Sequence, residues 1–117
     1  MRLCAEREIK ITVVDAVEFM DEPVSSSRIR KAVAQGDMKA VKGMLGRYFS
    51  YDFPVVHGDE RGRVLGSPTI NQFFSEDFAV PQFGVYASFT NVHGKIYPSV
   101  TNIGVRPTIG NSEKRSE

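Results

Sequence analysis

Cysteine is all but missing from this chain: Cys4 is the only one in 117 residues, which excludes an intramolecular disulfide. With two histidines in the whole sequence, no Cys/His cluster offers a closed zinc site either. No apolar run approaches the ~20 residues needed to span a bilayer. The opening residues, with Arg2, Glu6, Arg7 and Glu8, lack the apolar stretch of a signal peptide. Charge of one sign is also lacking, since the formal net charge is +1, and that supplies no basic field for nucleic acid. Internal repeats and low-complexity segments are absent. Together these absences predict an unprocessed chain of the reducing cytoplasm, with neither membrane nor nucleic acid as a partner. What is present is ordinary: 41% hydrophobic and 25% charged residues, the balance of a soluble globular chain. A domain of this size buries only about two-thirds of its unfolded surface and tolerates few missing elements.

The hydrophobic period changes along the chain. Lys10 to Val14 (KITVV) is short and β-branched and runs into a polar patch with Asp21, Glu22 and Pro23, which predicts a strand entering a loop. Ser25, Ser26 and Ser27 are N-cap candidates for a short helix carrying Ile29 and Val33 and interrupted at Gly36. Asp37 can cap a second helix in which Met38, Val41, Met44 and Leu45 recur at helical spacing, with Gly46 as its stop. From Tyr51 onward the pattern becomes short strands separated by Gly, Pro and Asp: Val55–Val56, Val64–Leu65, Gly84–Thr90 and Lys95–Ile103. In the third of these Val85, Ala87 and Phe89 alternate with Tyr86, Ser88 and Thr90, and His93-Gly94 suits the turn that follows. Tyr86, Phe89 and Tyr97 are expected in the core or the wall of a barrel. The domain boundary is expected near residues 46 to 54, dividing the chain into 1–49 and 50–117.

Two segments could carry chemistry. In VSSSRIR, Val24 to Arg30, hydroxyls and arginines crowd a helix start, where free N–H groups and the positive end of the helix dipole favour an anion. Ser25, Ser26, Ser27 and Arg30 could hold a triphosphate there, and a plain N-cap with solvated arginines is the other reading. In HGDERGRVLGSPTIN, His57 to Asn71, Gly58, Gly62 and Gly66 let backbone approach phosphates that Arg63 can neutralise. The Thr69 hydroxyl and Asn71 amide oxygen are hard ligands suited to magnesium, and two residues apart on extended backbone they share a side. A ligand-free Gly/Asp/Arg-rich hairpin loop is the alternative. His57, beside Gly58 and Asp59, reads as a turn or phosphate-side residue rather than a base.

These motifs, in the order VSSSRIR, LGRYFS, VVHGDERGRVLGSPTIN, PQFGVYASF and YPSVTNIGVRPTIG, resemble the bacterial bifunctional riboflavin kinase/FAD synthetase family across most of the chain. That family usually reads Ser-Ser-Thr-x-Ile-Arg at the first motif, which residues 25–30 follow with Ser27 in place of threonine. At the second it usually reads Gly-x-Pro-Thr-Ala-Asn, matched by Gly66, Pro68, Thr69 and Asn71 with Ile70 in place of alanine. The resemblance implies a mainly β chain: a partial antiparallel riboflavin kinase-like β-barrel, preceded by a strand and two short helices from the end of an α/β nucleotidyltransferase domain. It implies phosphorylation of riboflavin to FMN with ATP and Mg2+, and adenylylation of FMN to FAD. Thr69 and Asn71 would bind magnesium, the Gly58–Gly66 loop would cover ATP, and Ser25 to Arg30 would face ATP phosphates in the second reaction.

Departures from the family pattern set further expectations. The His-x-Gly-His type nucleotide motif is not in this sequence, so adenylyl transfer is expected to be lost. The glutamate base of the kinase domain is expected beyond residue 117, with Glu113 and Glu117 not placed in that role, and turnover is expected to be weak or nil. Unpaired edges such as Lys95–Ile103 are expected to drive self-association. The rival expectations are a non-catalytic Mg-nucleotide-binding barrel and, against the near-neutral charge, nucleic-acid binding through Arg61 and Arg63.

Overall fold

The computed structural model describes Cys4 and residues 6–57, 69–108 and 111–117, with only the backbone of 106–108, 111 and 112. Gly58, Gly62, Arg63 and Gly66 lie outside the described residues, as does the strand expected at Val64–Leu65. Among the described residues the elements run β1 (Glu18–Phe19), β2 (Glu22–Pro23), α1 (Ser26–Ala34), α2 (Met38–Leu45), β3 (Gln72–Phe73), β4 (Gly84–Val92), β5 (Lys95–Thr108) and β6 (Asn111–Ser116).

Both helices form where local chemistry dictates. The Ser25 hydroxyl accepts from the Arg28 N–H at 3.2 Å to cap α1. The Asp37 carboxylate does the same for the Ala40 N–H at 2.9 Å at the start of α2. Gly46, at φ +68°, closes α2 with its N–H on the Lys42 carbonyl, a left-handed cap that only glycine adopts without strain. Val33 of α1 and Val41 of α2 are fully buried between the helices, flanked by Ala32 and Met44. Each such valine contributes roughly 1.5–3 kcal/mol.

Lys10–Val14 forms no strand. A β-branched run needs a ladder partner, and among the described residues no backbone pairs with it; Ile11, Val13 and Val14 are exposed. The β1–β2 hairpin forms instead, through a turn in which Met20 and Asp21 both take positive φ, of 56° and 58°. Asp21 tolerates that conformation but Met20 does not, so the turn gains from an external hold. Arg28 supplies it: its guanidinium donates to the carbonyls of Phe19 (2.8 Å), Glu22 (2.8 Å) and Pro23 (3.3 Å), and it pairs with the Glu22 carboxylate at 3.2 Å.

The second body is a four-stranded antiparallel sheet in the order β3-β6-β5-β4, which does not close into a barrel among the described residues. β4 and β5 form a hairpin of nine paired residues a side, turning at His93 (φ 51°) and Gly94 (φ 83°). Two successive positive-φ residues make the tight turn whose twist matches the strands. The Asn91 side-chain oxygen accepts from the Gly94 N–H at 2.9 Å.

Lys95–Ile103 keeps one side open over most of its length. It pairs throughout with β4, and from Ile103 onward β5 also pairs with β6. Open edges among the described residues include the outer side of β4, the other side of residues 95–101 and the outer side of β3 beyond the single bridge at Asn71. The apolar face of this hairpin, with Val85 (70% exposed), Phe89 (65%) and Val100 (73%), is uncovered rather than in a core. Among the described residues the Tyr48 ring meets it, with its centroid 6.1 Å from that of Phe89. The opposite face is a half-buried hydroxyl ladder in which Ser88 bonds Ser99 and Thr101, and Ser99 bonds Thr90, at 2.7–2.8 Å.

Two clusters join helices to sheet. Five rings, Phe49, Tyr51, Phe53, Phe74 and Phe78, pack with centroids 5.0–6.4 Å apart and pin the segment after α2 to the loop after β3. The Gln82 N–H donates to the Val33 carbonyl at 3.2 Å, and the Tyr86 hydroxyl donates to the Gln82 carbonyl.

Candidate functional site

The sheet register brings distant residues into one row. β3 pairs with β6 as Gln72 to Ser116 and Phe73 to Arg115, so one step further along the ladder Asn71 stands opposite Glu117. Opposite residues in an antiparallel pair project to the same face. Asn71 is fixed from its other side by the bridge to Val56, whose N–H donates to the Asn71 carbonyl at 2.8 Å. Next to it, the Gln72 amide donates to the Phe53 carbonyl, tying the sheet to the ring cluster.

Thr69 joins this face. Its hydroxyl donates to Glu117 Oε1 at 2.7 Å, and the Arg115 guanidinium holds the other carboxylate oxygen at 3.3 Å. Arg115 and Glu117, two apart on a strand, share the face by the pleat. The carboxylate therefore has a hydroxyl on one oxygen and a guanidinium on the other.

Asn71 is only 4% exposed, yet its Oδ1 is buried and has no hydrogen-bond partner among the described residues. Burying an unsatisfied amide oxygen costs about 1–3 kcal/mol, an expense that a ligand for that oxygen would offset. Thr69 Oγ1, Asn71 Oδ1 and the Glu117 carboxylate are all hard oxygen donors, the set a magnesium ion takes. Thr69 can give lone pairs to a cation while its O–H remains donated to Glu117. Among the described residues no three His, Cys, Asp or Glu side chains converge, so an all-carboxylate or imidazole site is not what this face offers.

The residues expected at the α1 start are placed differently from one another. The Ser25 oxygen is used as the cap, Arg28 is committed to the hairpin, and Ser26, Ser27 and Arg30 are exposed. Glu117, which the sequence alone does not place in the site, stands on this face. Its contact with Thr69 spans 48 positions, and no local pattern encodes it.

Known proteins resemble this chain in sequence and fold. Residues 45–117 match the family model for flavokinase, riboflavin kinase. The chain belongs to the riboflavin kinase family. Its similarity extends to bifunctional riboflavin kinase/FMN adenylyltransferases: 41% identity to that of Bacillus subtilis over 91% of this chain and 33% of the relative, and 32% to that of Listeria monocytogenes over 96% and 36%. The Escherichia coli enzyme of the same name is 37% identical over 80% of this chain and 30% of its own length. The chain thus spans about a third of the curated relatives it matches. A crystal structure named as a macrolide-efflux protein from Streptococcus pneumoniae superposes with a TM-score of 0.76 at 28% identity, covering 97% of this chain and 38% of that one. That likeness concerns the fold, and among the described residues no helix is long and apolar enough to cross a membrane.

Proposed function

We propose that the face formed by Thr69, Asn71 and Glu117 performs the kinase reaction of its family, passing the terminal phosphoryl group of ATP to the primary hydroxyl of riboflavin to give FMN and ADP. The carrying observation is the Thr69 hydroxyl on the Glu117 carboxylate, beside the orphaned oxygen of Asn71. An O–P bond forms from the flavin hydroxyl as the bond from the terminal phosphorus to the bridging oxygen breaks. The hydroxyl proton passes to Glu117, and ADP leaves with the bridging oxygen. Glu117 acts as general base, with Thr69 and Arg115 fixing its two oxygens. Thr69 and Asn71 would hold magnesium, which when bound neutralises charge on the phosphates. Catalysis of this kind rests on positioning and charge stabilisation, and a face preset by sheet register suits it.

Gly58, Gly62, Arg63 and Gly66 complete the proposal as the loop over the nucleotide. Ser26, Ser27 and Arg30, with the Ser25 cap, are assigned to ATP phosphates in the adenylylation of FMN to FAD that the relatives' name includes. Riboflavin, FMN and ATP are thus the proposed small-molecule partners, met in the cytoplasm, and the uncovered hairpin face is proposed to favour self-association.

The test is incubation of the chain with riboflavin, ATP and magnesium, separating the flavins by chromatography. FMN formation that Thr69→Ala and Asn71→Ala abolish supports the reading. Magnesium-dependent nucleotide binding without FMN would favour a non-catalytic nucleotide-binding module.

A further inference from the structure

Glu117 has a neighbour on each side of its row. Away from Asn71, its backbone exchanges two hydrogen bonds with Asn102 of β5: the Asn102 N–H donates to the Glu117 carbonyl at 2.8 Å and the Glu117 N–H to the Asn102 carbonyl at 2.9 Å. This continues the register of Ile103 opposite Ser116 by one step. Residues paired in this way have Cα atoms about 5.5 Å apart and side chains on the same face. Asn71, Glu117 and Asn102 therefore form one row across three neighbouring segments, with the carboxylate in the middle.

The flanking amides differ. Asn71 is buried and lies on the side of Thr69. Asn102 is exposed, and among the described residues its side chain has no hydrogen-bond partner. A phosphoryl transfer needs its two reactants on opposite sides of the reacting centre, in line. With the cation and phosphates assigned to Thr69 and Asn71, the alcohol must come to Glu117 from the other side, where Asn102 stands.

We propose that Asn102 is a substrate-binding residue, its side-chain amide hydrogen-bonding the acceptor alcohol and holding the reacting hydroxyl against Glu117. The inference rests on the kinase reading of the site. An amide offers a donor and an acceptor together, the complement of a hydroxyl, which is also both. The donor and acceptor of the Asn102 amide lie side by side and suit a polyol, which presents neighbouring hydroxyls, better than an isolated alcohol. Asn102 thereby selects for the polyol chain of the acceptor and leaves the nucleotide to the opposite side of the row.

The experiment titrates riboflavin into the full chain by flavin fluorescence, and Mg-ADP by calorimetry, for the unaltered protein, Asn102→Ala and Asn102→Thr. The threonine variant keeps a strand-favouring residue at that place, and circular dichroism checks that both variants fold. Expected is a roughly five- to tenfold weaker riboflavin affinity for Asn102→Ala, the worth of one neutral hydrogen bond, a smaller loss for Asn102→Thr, and unchanged Mg-ADP affinity. Unchanged riboflavin affinity in Asn102→Ala, or equal weakening of both ligands, overturns the role of Asn102 while leaving the kinase reading in place. Failure of the unaltered chain to bind riboflavin overturns both.

Discussion

The Thr69 hydroxyl donates to the Glu117 carboxylate at 2.7 Å, so the loop entering β3 and the residue after β6 meet on one face of the sheet. Beside them Asn71 buries an amide oxygen that no described group satisfies. A group held at a cost to stability is what a site built for a ligand contains.

That cost sets the first prediction. Asn71→Leu is close to isosteric and removes the unsatisfied oxygen, so thermal stability without ligand is expected to hold or rise slightly. Magnesium-dependent ADP affinity is expected to fall roughly 10- to 100-fold, the worth of a hydrogen-bond-strength contact to a charged group. Calorimetry paired with thermal melts checks both halves. Loss of stability with intact nucleotide affinity would make Asn71 a packing residue.

Gly43 bears on the helical body. A Cβ built there would lie 2.2 Å from Cε2 of Phe19, the ring that the Arg28 latch holds over α2. Gly43→Ala gains about 1 kcal/mol of helix propensity, but the clash must push Phe19 aside. We expect a net loss of about 1–3 kcal/mol, seen as a lower melting temperature. Phe19→Leu in the same chain should restore part of it, and a stabilised Gly43→Ala would show that Phe19 does not pack there.

How much of this was legible follows from the range of each interaction. The helices could be read because Ser25, Asp37 and Gly46 act within one turn of themselves, and the β4–β5 turn because His93-Gly94 is a two-residue signal. The β1–β2 hairpin was not, since Met20 is a poor residue for positive φ and the turn is held by an arginine further along. β6 was missed because Asn111–Ser116 is polar and reads as a loop; its strand state comes from pairing with β5 and β3. Thr69 and Asn71 were picked out by their oxygens and by family resemblance. Glu117 and Asn102 needed the register, which no single segment contains.

Tyr86 supplies a pH test. Burial pushes its phenol above the ordinary value of 10.0, and its hydroxyl donates to the Gln82 carbonyl. A raised folded-state value means that the neutral form is favoured by folding. Its contribution is complete below the unfolded value and is lost as pH rises through the folded one. Stability is therefore expected to fall above about pH 10. Tyr86→Phe should flatten that fall in denaturant titrations at pH 9 to 11, whereas an identical alkaline limb would assign the loss to other groups.

Association is expected through the uncovered face of the β4–β5 hairpin, where Val85, Phe89 and Val100 are all more than half exposed. Apolar side chains grouped on a sheet face beside an open strand edge favour contact with another chain. Light scattering should show oligomers that Phe89→Ser with Val100→Lys reduces. A stable monomer of the unaltered chain at high concentration would sink this expectation.

Glu117→Gln separates the two roles that a carboxylate can play at this face. The glutamine oxygen can still accept from the Thr69 hydroxyl, so the contact at 2.7 Å can persist, while the glutamine NH2 gives up the partly exposed pair with Arg115, worth at most about 1 kcal/mol. What is lost is the ability to take a proton from the attacking alcohol, and removal of a general base typically slows the chemical step ~10²- to 10⁴-fold. Binding of Mg-ADP and riboflavin should stay near that of the unaltered chain, because neither needs the charge to be transferred. Under saturating substrates, FMN formation should therefore drop while both affinities hold. If Mg-ADP affinity falls along with turnover, Glu117 serves the cation rather than the alcohol. If turnover is untouched, the proton leaves by another group, and the arrangement of Thr69 and Arg115 around this carboxylate is structural.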